Sequence, residues 1–155
     1  MVTGRWRERG FALFGALLFA VAMAGLLASL SRLWEERSTR ERERELLWVG
    51  RQFRGALEGY AAATPANQPP APVRIEELLQ DERAESVQRH LRRLPLDPMT
   101  GTYEWAYVRD TEGRIVGVHS TSDAKPLAPD NLWPEPRAFE GAASYRQWVF
   151  RPRRR

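Results

Sequence analysis

Hydrophobic residues fall along this chain in distinct regimes. From Phe11 to Leu30 the run FALFGALLFAVAMAGLLASL carries no charge. Twenty helical residues rising about 1.5 Å each span roughly 30 Å, the thickness of a bilayer core. From Arg32 to Glu45, RLWEERSTRERERE, charges alternate in sign without proline or glycine. Glu36 and Arg40, like Arg37 and Glu41, lie one turn apart, which suits a solvated helix. From there Leu46, Val49, Phe53, Leu57 and Tyr60 recur at spacings of three and four, one apolar stripe made to pack on a globular domain. The pattern predicts a single helix from about Phe11 to Ala63, halted ahead of Thr64-Pro65. It is greasy all round at first and amphipathic later.

Beyond the helix the periodicity breaks. The stretch ATPANQPPAPV holds four prolines and must be a loop. Ile75 to Leu79 reads as a short helix, and Ser86 to Arg93 as another with Ser86 as its cap. LPLDPMTG, Leu94 to Gly101, is irregular because of Pro95 and Pro98. Tyr103, Trp105 and Tyr107 then alternate with Glu104 and Ala106. After the turn Asp110-Thr111-Glu112-Gly113 comes Arg114 to His119, which completes a β-hairpin pattern. A third strand is expected at Tyr145 to Phe150, after an irregular connection from Ser120 to Gly141. The expected class is α+β: a long N-terminal helix packed on a small antiparallel sheet. The divisions are residues 1–10 as a leader, 11–31 as the transmembrane half of the helix, 32–63 as its soluble half, and 64–155 as a globular region completed by helix 46–63.

Composition narrows the function. The chain has 155 residues, a formal net charge of +4 and no cysteine, so disulfides, thiolate metal sites and cysteine nucleophiles are excluded. Arg5, Arg7 and Arg9 against Glu8 precede the apolar run, which predicts a cytoplasmic N-terminus and the remaining chain outside the cytoplasm. A cleaved secretory signal is the competing reading, with Ala20-Val21-Ala22 or Ala22-Met23-Ala24 as the site, but its apolar core is ordinarily shorter. Ala12, Ala16, Ala20, Ala24 and Ala28 recur every four residues, a row that lets helices approach closely in lipid.

This order of parts resembles the type IV pilin and type II secretion pseudopilin family. The leader ends in Gly10 and Phe11 opens the apolar helix. ERELLWVGRQFRGALEGYAAATP, Glu43 to Pro65, and LRRLPLDPMTGTYEW, Leu91 to Trp105, are similar to pseudopilin segments, the latter to the DPxxG block before the first strand. The resemblance implies cleavage between Gly10 and Phe11 by a prepilin peptidase. It implies residence in a bacterial inner membrane as a single pass, with the domain in the periplasm. Its partners would be other pseudopilins, an inner-membrane assembly platform and membrane lipid. The family's fifth mature position is usually glutamate, and here it is Gly15. The resemblance also implies a calcium loop at Ser120 to Pro126, with Asp123 and Asp130 as ligands; two acids plus carbonyls suffice chemically for Ca2+. A solvated turn rich in aspartate is the plainer alternative.

No catalytic constellation accompanies these features. His90 and His119 lie in no ligand-like spacing, and there is no serine elbow or glycine-rich phosphate loop. The expectation is a structural subunit acting by assembly, and not an enzyme. The alternatives are a DNA-uptake pilin-like component or a tethered adaptor that does not polymerise. Within Arg32 to Glu45 acids balance the arginines, which disfavours nucleic acid. The terminal Arg151-Pro152-Arg153-Arg154-Arg155 reads as a frayed, solvated end.

Overall fold

The computed structural model describes residues 5–127, 139 and 141–153, and the side chains within that range except those of 5–13 and 27–33. The chain divides into two compact units, Met1–Thr39 and Arg40–Arg155. The helix α1 is Arg5–Ala62, so it begins before the expected Phe11 and ends beside the expected Ala63. Its termination follows from Thr64-Pro65, since a residue before proline avoids the helical region. The Thr64 hydroxyl donates to the Tyr60 carbonyl at 2.9 Å, satisfying one of the exposed acceptors of the last turn.

In the first unit, Phe14, Leu17, Leu18, Phe19, Val21, Met23 and Leu26 are all exposed. Among the described residues no helix is long and apolar enough to cross a membrane. The expected span over 11–31 thus finds no such helix, and the described side chains of its apolar run are those of 14–26.

In the second unit the amphipathic stripe is the floor of the core. Leu46, Val49, Phe53, Leu57 and Tyr60 are buried as their spacing predicts, and Leu47 and Ala56 join them. The stripe meets Ile75, Leu78, Leu91, Trp105, Ile115, Val118, Tyr145, Trp148 and Phe150. Phe53 meets Trp105 edge to face with centroids 4.9 Å apart, a favoured aromatic geometry. Gly50 lets Phe150 lie against α1, because a Cβ there would stand 2.2 Å from the Phe150 ring.

Strands β1, Trp105–Arg109, and β2, Ile115–Ser120, form the antiparallel hairpin that the alternation predicts. Trp105 pairs with Ser120 and Tyr107 with Val118, and a register irregularity falls between Val108 and Arg109. The turn is locally determined. Asp110 accepts from the backbone N–H of Glu112 and of Arg114, each at 2.9 Å, and Gly113 takes φ 79. That conformation favours glycine.

Two expected elements are corrected. Tyr145 to Phe150 is no third strand: Tyr145–Gln147 is a 3-10 turn, and only Phe150 makes a bridge, to Val118. The reason is that Tyr145 and Trp148 are both buried. Residues three apart point to opposite faces of a strand but to the same side of a 3-10 turn. Ser86 to Arg93 is no helix either. Asp81 and Gln88 form an antiparallel bridge, and the His90 and Leu91 N–H groups both donate to the Leu78 carbonyl, at 2.9 and 2.8 Å. Their donors are thereby committed outside any helical ladder. The expected helix at Ile75 to Leu79 is a 3-10 helix, Ile75–Leu78, which turns Ile75 and Leu78 into the core.

Candidate functional site

The chemistry of the domain sits in buried acids, each of which fastens irregular chain to a regular element. Asp81, 4% exposed, is the centre of the first. Its carboxylate accepts from Arg83 Nε and Nη2, each at 2.8 Å, and lies 3.0 Å from His90 Nε2. Arg83 then caps α1 by donating to the Tyr60 carbonyl at 3.0 Å, and its guanidinium stacks 3.4 Å from the Tyr60 ring centre. This adds a cation–π contact to a bidentate ion pair. The Arg83 hydrogen bonds, and after them that of His90, hold the Asp81 carboxyl well below the usual aspartate range despite burial. Tyr60 donates to Glu77 Oε2 at 2.7 Å. Burial first, and the Glu77 carboxylate second, push its phenol well above its ordinary range, so it remains a donor.

Asp97 is fully buried and organises the Asp97-Pro98 block. It accepts from the Met99 N–H at 2.9 Å and from Ser120 Oγ at 2.6 Å, which ties the loop to the end of β2. Its own backbone closes the loop through Thr102 and Gly101, both at 2.8 Å. Trp105 Nε1 donates to the Pro95 carbonyl at 2.9 Å and fixes the near side.

Glu43 corrects the reading of Arg32 to Glu45 as solvated. It is 1% exposed, and its Oε1 accepts from the Leu127 N–H at 2.8 Å and the Tyr145 hydroxyl at 2.9 Å. Burial, then Glu43, raise the Tyr145 phenol above its ordinary range. The signal was its spacing, since Glu43 precedes Leu46 and Leu47 by three and four and so lies on the buried stripe.

The remaining candidates are dispersed. Asp123 is exposed and its carboxylate is engaged by Arg146 through Nε and Nη2. Asp130 lies outside the described residues. Among the described residues no group of three or more His, Asp or Glu could hold a metal ion. A cation at Asp123 would compete with the Arg146 guanidinium already there. His90 belongs to the Asp81 cluster, and His119 Nδ1 lies 2.9 Å from the Ser120 carbonyl, so both serve the fold. The C-terminal segment is tied down as far as Arg153, against the expectation of fraying: the Arg151 carbonyl accepts from Arg54 Nε at 3.0 Å and Glu58 accepts from the Arg153 N–H at 2.9 Å. Ala16, Ala20 and Ala24 are exposed. Gly10, Phe11, Ala12 and Ala28 lie where side chains are not described. No protein-family model, no curated protein and no solved structure matches this chain.

Proposed function

We propose that this chain is a structural, pseudopilin-like subunit of a type II secretion-type machine, anchored in a bacterial inner membrane by residues 11–31 and working by assembly. The observation that carries the proposal is the exposure of the large apolar side chains from Phe14 to Leu26, none of them below 42%. Successive residues turn by about 100°, so the consecutive Leu17, Leu18 and Phe19, all exposed, point to different sides of α1. A helix that is apolar all round is stable only inside lipid or among other apolar helices. The same helix continues into a small α+β domain whose buried polar groups serve packing, which suits a building block. The partners would be lipid, other pseudopilins and an assembly platform, after a prepilin peptidase cuts between Gly10 and Phe11.

Gly15 favours a second reading, a tethered adaptor that does not polymerise, because it lacks the carboxylate that would meet a neighbouring amine. The position has room for one, since a Cβ at Gly15 meets nothing within 4 Å. Mass spectrometry of the membrane-extracted chain tests the proposal. A mature terminus at Phe11 supports it. An intact Met1, or a start near Met23, removes it. Crosslinking from Ala16 or Ala20 separates the two readings, since only the subunit would be trapped with helices of other subunits.

A further inference from the structure

The hairpin leaves one of its edges open. The Val118 N–H donates to the Phe150 carbonyl at 3.1 Å and the Phe150 N–H to the Val118 carbonyl at 2.9 Å, so Val118 commits both backbone groups to the side of β2 away from β1. Neighbouring residues of a strand direct their polar groups to opposite edges, so Gly117 and His119 form the hairpin ladder with Val108 and Ala106. The backbone groups of Trp105, Tyr107 and Arg109 then point outward from β1. Among the described residues these outward N–H and carbonyl groups have no hydrogen-bond partner. Trp105 turns its ring into the core against Phe53, so Ala106 and Val108 lie on the other face of the strand, both half-buried.

We propose that β1 pairs edge to edge, antiparallel, with β1 of a second copy of this chain, joining two hairpins into one sheet. Donors and acceptors that repeat about 7 Å apart along a line match an extended polypeptide backbone, and neither a lipid nor a nucleic acid carries that repeat. A second copy is the occupant because it brings such a backbone already extended, fixed by its own hairpin and unpaired at the same groups, at little ordering cost. Tyr107 is the centre of the outward set, with Trp105 and Arg109 on either side of it. Antiparallel pairing about Tyr107 sets Tyr107 against Tyr107 and Trp105 against Arg109. It also brings Ala106 of each copy against Val108 of the other, apolar against apolar. At the ends Glu104 meets Asp110, whose charge Arg114 already answers at 2.9 Å within the turn. The register irregularity between Val108 and Arg109 keeps the paired stretch short. A two-fold pairing closes on itself, so it makes dimers and not open fibres. The inference rests on the reading of the chain as an assembling subunit. The two fail separately, since the mature terminus is read without the pairing and the pairing without the terminus.

The chain has no cysteine, so introduced ones report alone. The full chain in detergent micelles is oxidised with copper phenanthroline, and disulfide dimers are read on non-reducing gels. In the proposed register Ala106 and Val108 of opposite copies have Cα atoms about 4.5 Å apart, within disulfide reach. Ala106→Cys mixed with Val108→Cys, on chains with tags of different size, should give the mixed disulfide. Either variant alone should give little, as should Val87→Cys, which is exposed elsewhere. Tyr107→Pro removes the outward N–H and leaves the hairpin ladder its donors, so it should cut the mixed disulfide roughly fivefold or more. Tyr107→Ala, which keeps that N–H, should retain it. Circular dichroism checks folding. Where Tyr107→Pro shifts the melt, a synthetic peptide of residues 103–109 is read in its place: it should compete with the mixed disulfide, and the same peptide N-methylated at Tyr107 should not. The proposal is overturned by a mixed disulfide no stronger than the Val87→Cys level, by yields from either single variant that match the mixture, or by equal competition from the two peptides. A mixed disulfide that a folded Tyr107→Pro leaves unchanged overturns it as well. In native membranes, a disulfide from Ala106→Cys to a different protein in place of the mixed pair also overturns it, assigning the edge to another strand.

Discussion

Two stretches of α1 carry apolar side chains of the same kinds and meet opposite fates. Between Phe14 and Leu26 they are exposed, with Phe19 at 68%. Between Leu46 and Tyr60 they are buried, with Phe53 at 0%. Composition does not distinguish a phenylalanine at 19 from one at 53. The difference is arrangement and cover. The earlier stretch is apolar on every side, so no single domain face could bury it. The later one confines its apolar residues to a stripe and has a sheet, two 3-10 elements and several loops to lie over it. That cover contains little regular structure, and buried acids hold it in place.

The comparison breaks most visibly at the two phenylalanines. Phe53→Ala should destabilise the domain by about 3–5 kcal/mol, the usual cost of emptying a buried aromatic site. Phe19→Ala should leave the domain within about 0.5 kcal/mol of wild type, as exposed positions usually do. Denaturant titration of the full chain in detergent, followed by near-ultraviolet circular dichroism, reads both. Equal effects at the two sites would end the distinction.

The acids test whether the cover needs its fastenings. Asp97→Ala strands the Ser120 hydroxyl and the Met99 N–H, and should cost about 2–4 kcal/mol because each buried donor left unpaired costs about 1–3 kcal/mol. Asp97→Asn keeps one acceptor and should cost less. Glycines sharpen the contrast further. Gly50→Ala drives a methyl into the Phe150 ring and should lose about 1–2 kcal/mol, overpacking outweighing the gain in helix propensity. Gly15→Ala meets no atom within 4 Å and should gain up to about 1 kcal/mol of local helix stability, with the domain melt unchanged. Hydrogen exchange along α1 resolves the two.

The gentlest test is pH. Asp81 has its folded pKa depressed by Arg83 and His90 below the ordinary value near 3.8. Its contribution is therefore complete above that value and drains away as the pH falls toward the folded one. Acid titration of the melting midpoint should show a decline beginning near pH 4, and Asp81→Asn should flatten it while lowering stability at neutral pH. An identical acid limb in Asp81→Asn would mean that other carboxylates set it.

Much of the fold was legible because its signals are local. The stripe from Leu46 to Tyr60 follows from spacing, the hairpin from alternation plus Asp110 and Gly113, and the helix end from Thr64-Pro65. The failures share a cause. Ser86 to Arg93 has the composition of a helix, but its backbone donors go to Asp81 and Leu78. Tyr145 to Phe150 has the composition of a strand, but the core needs Tyr145 and Trp148 on one side. The buried acids were the least visible features. Glu43 sits in an unbroken charge run, and Asp81 shows its role only when Arg83, His90 and the end of α1 converge on it.

The sequence by itself determined one long helix with an apolar section and an amphipathic section, and a hairpin turned at Asp110 to Gly113. These follow from periodicity and turn chemistry, which act over a few neighbouring residues. Only the tertiary structure decided which charges are buried and how the chain from Leu79 to Gly101 is threaded. Those outcomes rest on contacts between residues far apart in the chain, such as Glu43 with Tyr145 and Asp97 with Ser120. A buried polar group takes whatever partner the packed core brings within reach, and no local pattern records which partner that will be.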